Sequence, residues 1–522
     1  VIQVETRAVD GAQGPPATLV GDPDVVRQWT LRLGLGLLAL QGVFLVGMSV
    51  VFYRRFTLGI DFGIFSQAWT QIGTGHLDPV STINGFPYLK SHFELLMWPL
   101  ALLHLVVHSA IVLLFVQDVA LMGTAMVVLL WVTALLRRSG AGTSWTVAVT
   151  AGTVALLLID PIVYATAAED FHFEPLATWF VVLAAYDLWS GRTARMWVWS
   201  SLCLLCGDIG GLYVLGLGLT GIVAARGSRY RSLALFAAGA AWVGIISALG
   251  ANAGSDISTG YAYLAGRQSL PSGSHGLALV AKGAIGHPYR AWDVLWPRWG
   301  TILRYLEAGG GIGVLTPWGF GVPLVALSAS GLQASGVFVS IPFQNIVVVP
   351  FATFGTAWLV VWIATRWRRR LGVALASIVG IFALVAGGAE AVQQLPTAWT
   401  FNASAGLNDA RQSAALGRAL SATPSDAEVV ASVPVIGRFG QRPFLYTLVD
   451  AAVHTTAPVP VHAGTVVIVI DGSAAPQLLP PFIATELQND LVAGGGRVVV
   501  DDSGVVAIVW HPAPGTGGLQ LP

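Results

Sequence analysis

Apolar runs long enough to cross a lipid bilayer alternate along this chain with short polar segments. A hydrocarbon core about 30 Å thick needs roughly 20 apolar residues in a helix. Runs near that length, bounded by charge, occupy 30–53, 110–136, 145–167, 176–190, 232–250, 346–366 and 371–389. The stretch 196–225 is too apolar for a loop and is interrupted near Gly207 and Asp208, which predicts two short helices. Residues 299–334 read likewise as two passes separated at Pro317, and 93–108, apolar but short, fits a re-entrant or interfacial helix. The pattern predicts an all-α polytopic membrane domain over 30–389 with about eleven crossings. A polar tail at 1–29 precedes it, and the first helix reads as retained, not as a cleaved signal peptide.

After 389 the period changes. Strand-length apolar runs at 428–433, 465–470, 497–501 and 505–510 alternate with amphipathic stretches near 407–421 and 482–493, so residues 390–522 are expected to form a small α/β domain. Gly494, Gly495 and Gly496 precede a strand instead of opening a helix after one, which argues against a nucleotide cradle.

Composition agrees with this layout: 55% of residues are hydrophobic and 10% charged, against about 25% charged in ordinary soluble domains. Formal net charge is zero, so no basic surplus points to nucleic acid. Cys203 and Cys206 lie inside one apolar segment, which excludes a disulfide framework and suits small residues packed between helices. The charge is nevertheless sided. The loops at 137–138, 192–195, 226–231 and 366–370 hold eleven arginines and no acid, and the positive-inside rule puts them in the cytoplasm. The N-terminus is then cytoplasmic, while 54–109, 251–298 and everything after 389 face outward. Arg54 and Arg55, just outside the first helix, run against the rule.

Ionisable residues near membrane ends are the best chemical clues in so uncharged a chain, and they fall on the expected outer face. Asp61 starts an amphipathic segment that includes Gln67; an ordinary helix cap is the competing reading. Lys90, His92 and Glu94 follow in the same loop, where an interfacial histidine satisfied by its neighbours is the plain alternative. Glu169, Asp170, His172 and Glu174 form a short connection between two membrane helices, which has no need of four titratable groups if it is only a loop. Asp208 lies at the same end. Lysine occurs only at 90 and 282, both in outer segments, and Lys90, Lys282, Arg54 and Arg55 could hold a phosphate there. Asp61, His92, Glu169, Asp170 and His172 are also the candidate ligands of a divalent cation, Mg or Mn. A carboxylate acting as base beside cations that neutralise a leaving phosphate is what a lipid-phosphate-linked substrate requires.

At these residues the sequence resembles a bacterial family of predicted membrane proteins of unknown function, DUF2079, whose layout is similar to that of the GT-C glycosyltransferases. The resemblance spans most of residues 50–470. It rests on the DFGIFSQ run from Asp61 to Gln67, on His92 and Phe93 before an apolar run ending near Gln117, and on Phe171, His172 and Phe173. It rests also on Val429 to Ser432 followed by Arg442 to Tyr446. The chain departs from the family pattern at Cys206, Gly207 and Asp208, where a Lys-Glu-Asp triplet is expected, and at Pro342 to Asn345, including Gln344, where a tyrosine-containing motif is expected. The resemblance implies a GT-C-like fold, a polyprenyl-phosphate sugar donor, and Asp61 as base toward a cell-envelope glycan, lipid or protein acceptor. The alternatives are a transporter or flippase for lipid-linked or polar solutes, and an envelope scaffold or sensor.

Overall fold

The computed structural model describes residues 23–250, 260–271, 274–367, 369–399, 408–448, 459–471, 481–513 and 515–519. Most of the expected polar tail and part of the 251–298 segment lie outside the described residues. Numbering only the helices used below, α1 is Pro23–Arg54, α2 Ile60–Gly73, α3 Ile111–Arg138, α4 Thr143–Ile159, α5 Pro161–Ala167, α6 Glu174–Ser190, α7 Thr193–Leu204 and α8 Asp208–Ala224. They continue as α9 Arg229–Ala248, α10 Trp299–Ala308, α11 Pro317–Gly331, α12 Val348–Arg366, α13 Arg369–Trp399, α14 Ala410–Ala422 and α15 Pro481–Ala493.

The all-α membrane domain with a small C-terminal α/β region is what the structure has. Among the described residues, six helical spans are long and apolar enough to cross a membrane: Asp24–Arg54, Ile111–Arg138, Thr143–Ala167, Arg229–Ala248, Pro342–Arg366 and Arg370–Pro396. The other five places expected for crossings are taken by the shorter helices α6, α7, α8, α10 and α11. The shortest, α10, has 10 residues and at 1.5 Å per residue reaches only about 15 Å. The break between α10 and α11 is not made by Pro317. Gly309 to Gly311 and the turn Ile312–Leu315 form it, and Pro317 takes the first helical position, where a missing N–H costs nothing. The bend lies tight on α12, where a Cβ on Gly313 would come 1.8 Å from the Ala352 carbonyl oxygen. At the two ends of the membrane domain, α1 begins at Pro23, inside the expected tail, and α13 runs past 389 to Trp399.

Charge divides the helices end for end. α3 carries Arg137 and Arg138 in its last turn, α6 ends next to Arg192, and Arg27 of α1 donates to the Ala141 carbonyl at 2.7 Å, where α4 begins. At the far ends of these same helices lie Asp61, the 169–174 connection and Asp208.

The C-terminal sheet has β1 Glu428–Ser432, β2 Leu445–Leu448, β3 Val466–Asp471, β4 Arg497–Asp502 and β5 Val505–Trp510, in the order β2-β1-β3-β5-β4. β1 is parallel to β2 and β3, and β5 antiparallel to β3 and β4. β1 and β3 are buried throughout, which explains their continuous apolar reading. Ala415, Leu416 and Ala419 of α14 cover one face, and Leu487 and Leu491 of α15 the other.

α2 lies between this sheet and the membrane helices. Phe62, Ile64, Phe65, Ala68, Trp69 and Ile72 join the membrane-domain core, while residues on its other side meet the C-terminal domain. A Cβ on Gly440 would fall 1.8 Å from Ser66 Oγ, and Gly437 N–H donates to the Leu58 carbonyl at 3.0 Å.

Candidate functional site

A helix start leaves four backbone N–H groups without partners. At α2 the N-cap is Gly59, which has no side chain to satisfy them. The carboxylate of Asp170, reaching across from the α5–α6 connection, takes their place: its oxygens accept from Gly59 N at 2.8 Å and Phe62 N at 3.1 Å. Asp61, in the first turn of α2, is therefore not the cap, and its side chain is 45% exposed. Gln117 of α3 fixes the connection itself, accepting from His172 N at 2.8 Å and donating to the carbonyls of Thr166 at 3.3 Å and Asp170 at 3.4 Å.

His172 is buried, stacked on Phe343 with ring centroids 3.4 Å apart, and its Nε2 lies 3.9 Å from Asp61 Oδ2. Burial pushes its pKa down to about 4, against the opposing pull of Asp61. The imidazole is thus neutral near pH 7, and the approach to Asp61 is not an ion pair there. His92 packs on Phe65 at 4.9 Å and on Tyr88 at 5.8 Å, with Nδ1 3.7 Å from Glu94 Oε1. Burial lowers its pKa, but the Glu94 carboxylate and then Asp61 and Glu174 outweigh this, and the net shift is upward. Tyr88 donates its hydroxyl to Glu94 at 3.1 Å, and the Gln344 amide donates to Glu174 at 2.9 Å. Gly207, just before Asp208, lies against the Glu94 carboxylate, and Glu174 is in electrostatic reach of Glu94, Asp208 and Asp61. The structure therefore brings together Asp61, His92, Glu94, His172, Glu174, Asp208 and Gln344.

Other candidates are placed differently. Asp170 is spent on the helix start. Glu169 is half-buried beside it, and burial, then Asp170 and Asp61, raise its pKa to about 7. Gln67, expected to meet substrate, is fully buried with its amide saturated: it donates to Thr82 Oγ1 at 2.9 Å and to the carbonyls of Arg442 and Pro443 at 3.2 and 3.1 Å, and accepts from Thr82 N at 3.0 Å. It ties α2 to the C-terminal domain. Arg54 is exposed at the end of α1, and Arg55 donates to the Asn408 carbonyl at 3.4 Å. Lys90 is exposed in the turn Tyr88–Ser91, and Lys282 is exposed on helix Ser274–Gly286, which packs on the Ala262–Ala265 turn. Among the described residues no group of three or more His, Cys, Asp or Glu side chains is placed to hold a metal ion, and both oxygens of Asp170 are engaged by backbone.

Sequence reasoning missed several participants. Tyr88, Gln117 and Phe343 hold the histidines and acids in place but carry no signal of their own. Asp118, Asp160 and Glu390 are buried among the apolar helices. Asp118 and Asp160 lie within apolar runs, where their cost alone could have singled them out.

No curated protein matches the sequence. Among solved structures, the crystal structure of ArnT from Cupriavidus metallidurans in the apo state is similar at a TM-score of 0.41 and 13% identity, covering 90% of this chain and 99% of that one. A family described as "Predicted membrane protein (DUF2079)" matches residues 53–454, most of the chain. The protein is a multi-pass membrane protein and belongs to the DUF2079 family.

Proposed function

We propose that the protein is an inverting, membrane-embedded glycosyltransferase at the extracytoplasmic face of the bacterial plasma membrane. In this reading the donor is a polyprenyl-phosphate sugar and the acceptor a cell-envelope glycan, lipid or protein. The observation that carries it is the half-exposed Asp61 carboxylate, relieved of capping by Asp170 and faced by a neutral histidine. No cation pairs with Asp61 among the described residues, and its carboxylate is open to an incoming hydroxyl. Asp61 takes the proton of the acceptor hydroxyl while that oxygen bonds to the anomeric carbon. The bond from this carbon to the phosphate oxygen breaks, and polyprenyl phosphate leaves with the electron pair. Glu94, Glu174, Asp208 and Gln344 accept or donate hydrogen bonds to sugar hydroxyls. Lys90, two residues before His92, and Arg54, exposed at the end of α1, receive the phosphate. No step is routed through a metal ion.

The test is sugar transfer from purified lipid-linked donors by the Asp61→Asn variant. Loss of a general base lowers turnover by about a hundred- to ten-thousand-fold; turnover equal to that of the unaltered protein removes Asp61 from the mechanism.

A second reading, a transporter for lipid-linked or polar solutes, has Asp118, Asp160 and Glu390 in its favour, since buried carboxylates between apolar helices commonly mark solute or proton paths. Asp160→Asn separates the two. It leaves sugar transfer intact if the Asp61 site does the chemistry, and it abolishes solute movement in proteoliposomes if the protein is a transporter.

A further inference from the structure

A cleft of about 600 Å³ runs along a second flank of α2, away from the Asp61 face, and is walled on its far side by the C-terminal domain. Its α2 wall is the polar stripe Gln67, Thr70, Gln71 and Thr74, residues three and four apart and therefore on one helix face. The opposite wall holds Arg442, Phe444, Tyr446 and His462, with His76 also lining the cleft. No carboxylate lines it, in contrast to the acid-rich site around Asp61. The Phe444 and His462 rings are parallel, with centroids 4.6 Å apart, and the Tyr446 hydroxyl meets His462 Nδ1 at 3.2 Å, so the domain offers a flat aromatic surface edged by donors.

The chemistry of the walls selects the occupant. A saccharide presents both partners at once: its C–H faces pack on aromatic rings while its hydroxyls bond planar guanidinium and imidazole groups. Gln67 is six residues along α2 from Asp61, about 9 Å of helix rise.

We propose that this cleft holds the saccharide chain of the acceptor, which makes the acceptor a glycan or a glycolipid headgroup. The proposal rests on the transferase reading, with Asp61 as base. The experiment uses the full-length chain in lipid nanodiscs. The probe is the saccharide fraction released by mild hydrolysis from the envelope of the organism that makes the protein, freed of lipid and protein, and saturation-transfer NMR reads bound sugar. Saccharide should bind the unaltered protein and Asp61→Asn alike, and about ten-fold or more weakly to Tyr446→Ala. Thr74→Trp, which fills the cleft from the exposed end of α2, should weaken binding as much without touching the sheet. Absence of any bound saccharide overturns the proposal, as does undiminished binding by the two cleft variants, or retention only of material that still carries lipid or protein. The two readings fail separately. Normal turnover by Asp61→Asn removes the base but leaves the binding result standing, whereas normal binding by the cleft variants removes the saccharide site but leaves Asp61 untouched.

Discussion

Two neighbouring carboxylates, Asp61 and Asp170, are divided by burial into different tasks. The side chain of Asp61 opens to solvent, while Asp170 is turned inward onto the backbone of α2. Asp170→Ala strips two N–H groups of their acceptor, a loss of about 1 to 3 kcal/mol; the melting temperature should fall and amide exchange at residues 59–63 should accelerate. Asp170→Asn keeps one of the two oxygens and should land between. The same group sets a pH dependence. Burial, then the charge of Asp61, raises the pKa of Asp170 to about 7, and Glu169 also stands at about 7, against roughly 4 for both in the unfolded chain. Between those values the folded state binds more protons than the unfolded one, so stability increases as pH falls. His172 opposes this, its pKa of about 4 lying below the ordinary histidine value, but only once pH drops under about 6.5. The melting temperature should therefore climb as pH falls from 8 and go on climbing below pH 6.5, where the two raised carboxyls still outweigh the one histidine, until about pH 4, and Glu169→Gln with Asp170→Asn should abolish the climb. A decline over that interval in the unaltered protein would contradict the assigned burial. None of this division was legible beforehand, because Asp170 acts through backbone more than a hundred residues away in sequence.

The element that organises the site is α2, and the C-terminal domain holds it and the segments beside it. Gln67 bonds the carbonyls of Arg442 and Pro443, Thr82 donates to the Leu445 carbonyl at 2.7 Å, and the Asn408 amide donates to the Arg55 carbonyl at 2.9 Å. Arg438 lies over the Tyr53 ring at 3.7 Å and donates to the Tyr53 carbonyl. The closest approach is at Gly440, where an added methyl meets Ser66 Oγ, and overpacking of this kind costs about 1 to 3 kcal/mol. Gly440→Ala should lower both the melting temperature and turnover by displacing α2, and Ser66→Ala in the same chain, which removes the colliding oxygen, should recover part of each. No recovery would mean that the strain lies elsewhere. The strands β1, β3, β4 and β5 were readable as apolar runs, and so were the long helices, since a run of about 20 apolar residues has few other fates. β2 was hidden in a motif with proline at its start. The bend at Gly309 to Gly311 was hidden because glycines in an apolar window do not lower its hydropathy enough to mark a break. Gln67 looked like a substrate ligand for a related reason: from sequence, a polar residue on an amphipathic helix cannot be told from one buried against a second domain.

At the scale of the whole molecule, the membrane helices separate two chemistries. Arginines 137, 138, 192 and 195 stand at one end of the helix set, and Asp61, His92, Glu94, His172 and Glu174 at the other. α3 has 28 residues, about 42 Å at 1.5 Å per residue, enough to keep the two ends on opposite sides of a bilayer. Placing the arginine end in the cytoplasm follows the positive-inside rule and is open to direct test. Cys203 and Cys206 are fully buried, so the chain already offers a background silent to a membrane-impermeant maleimide. Thr74→Cys, exposed at the end of α2, and Gly142→Cys, exposed in the loop before α4, sample the two ends. Intact cells should label the cysteine at 74 and leave that at 142 unmodified until the membrane is opened. The reverse pattern would put Asp61 and the saccharide cleft in the cytoplasm, where a donor presented on the outer face could not reach them.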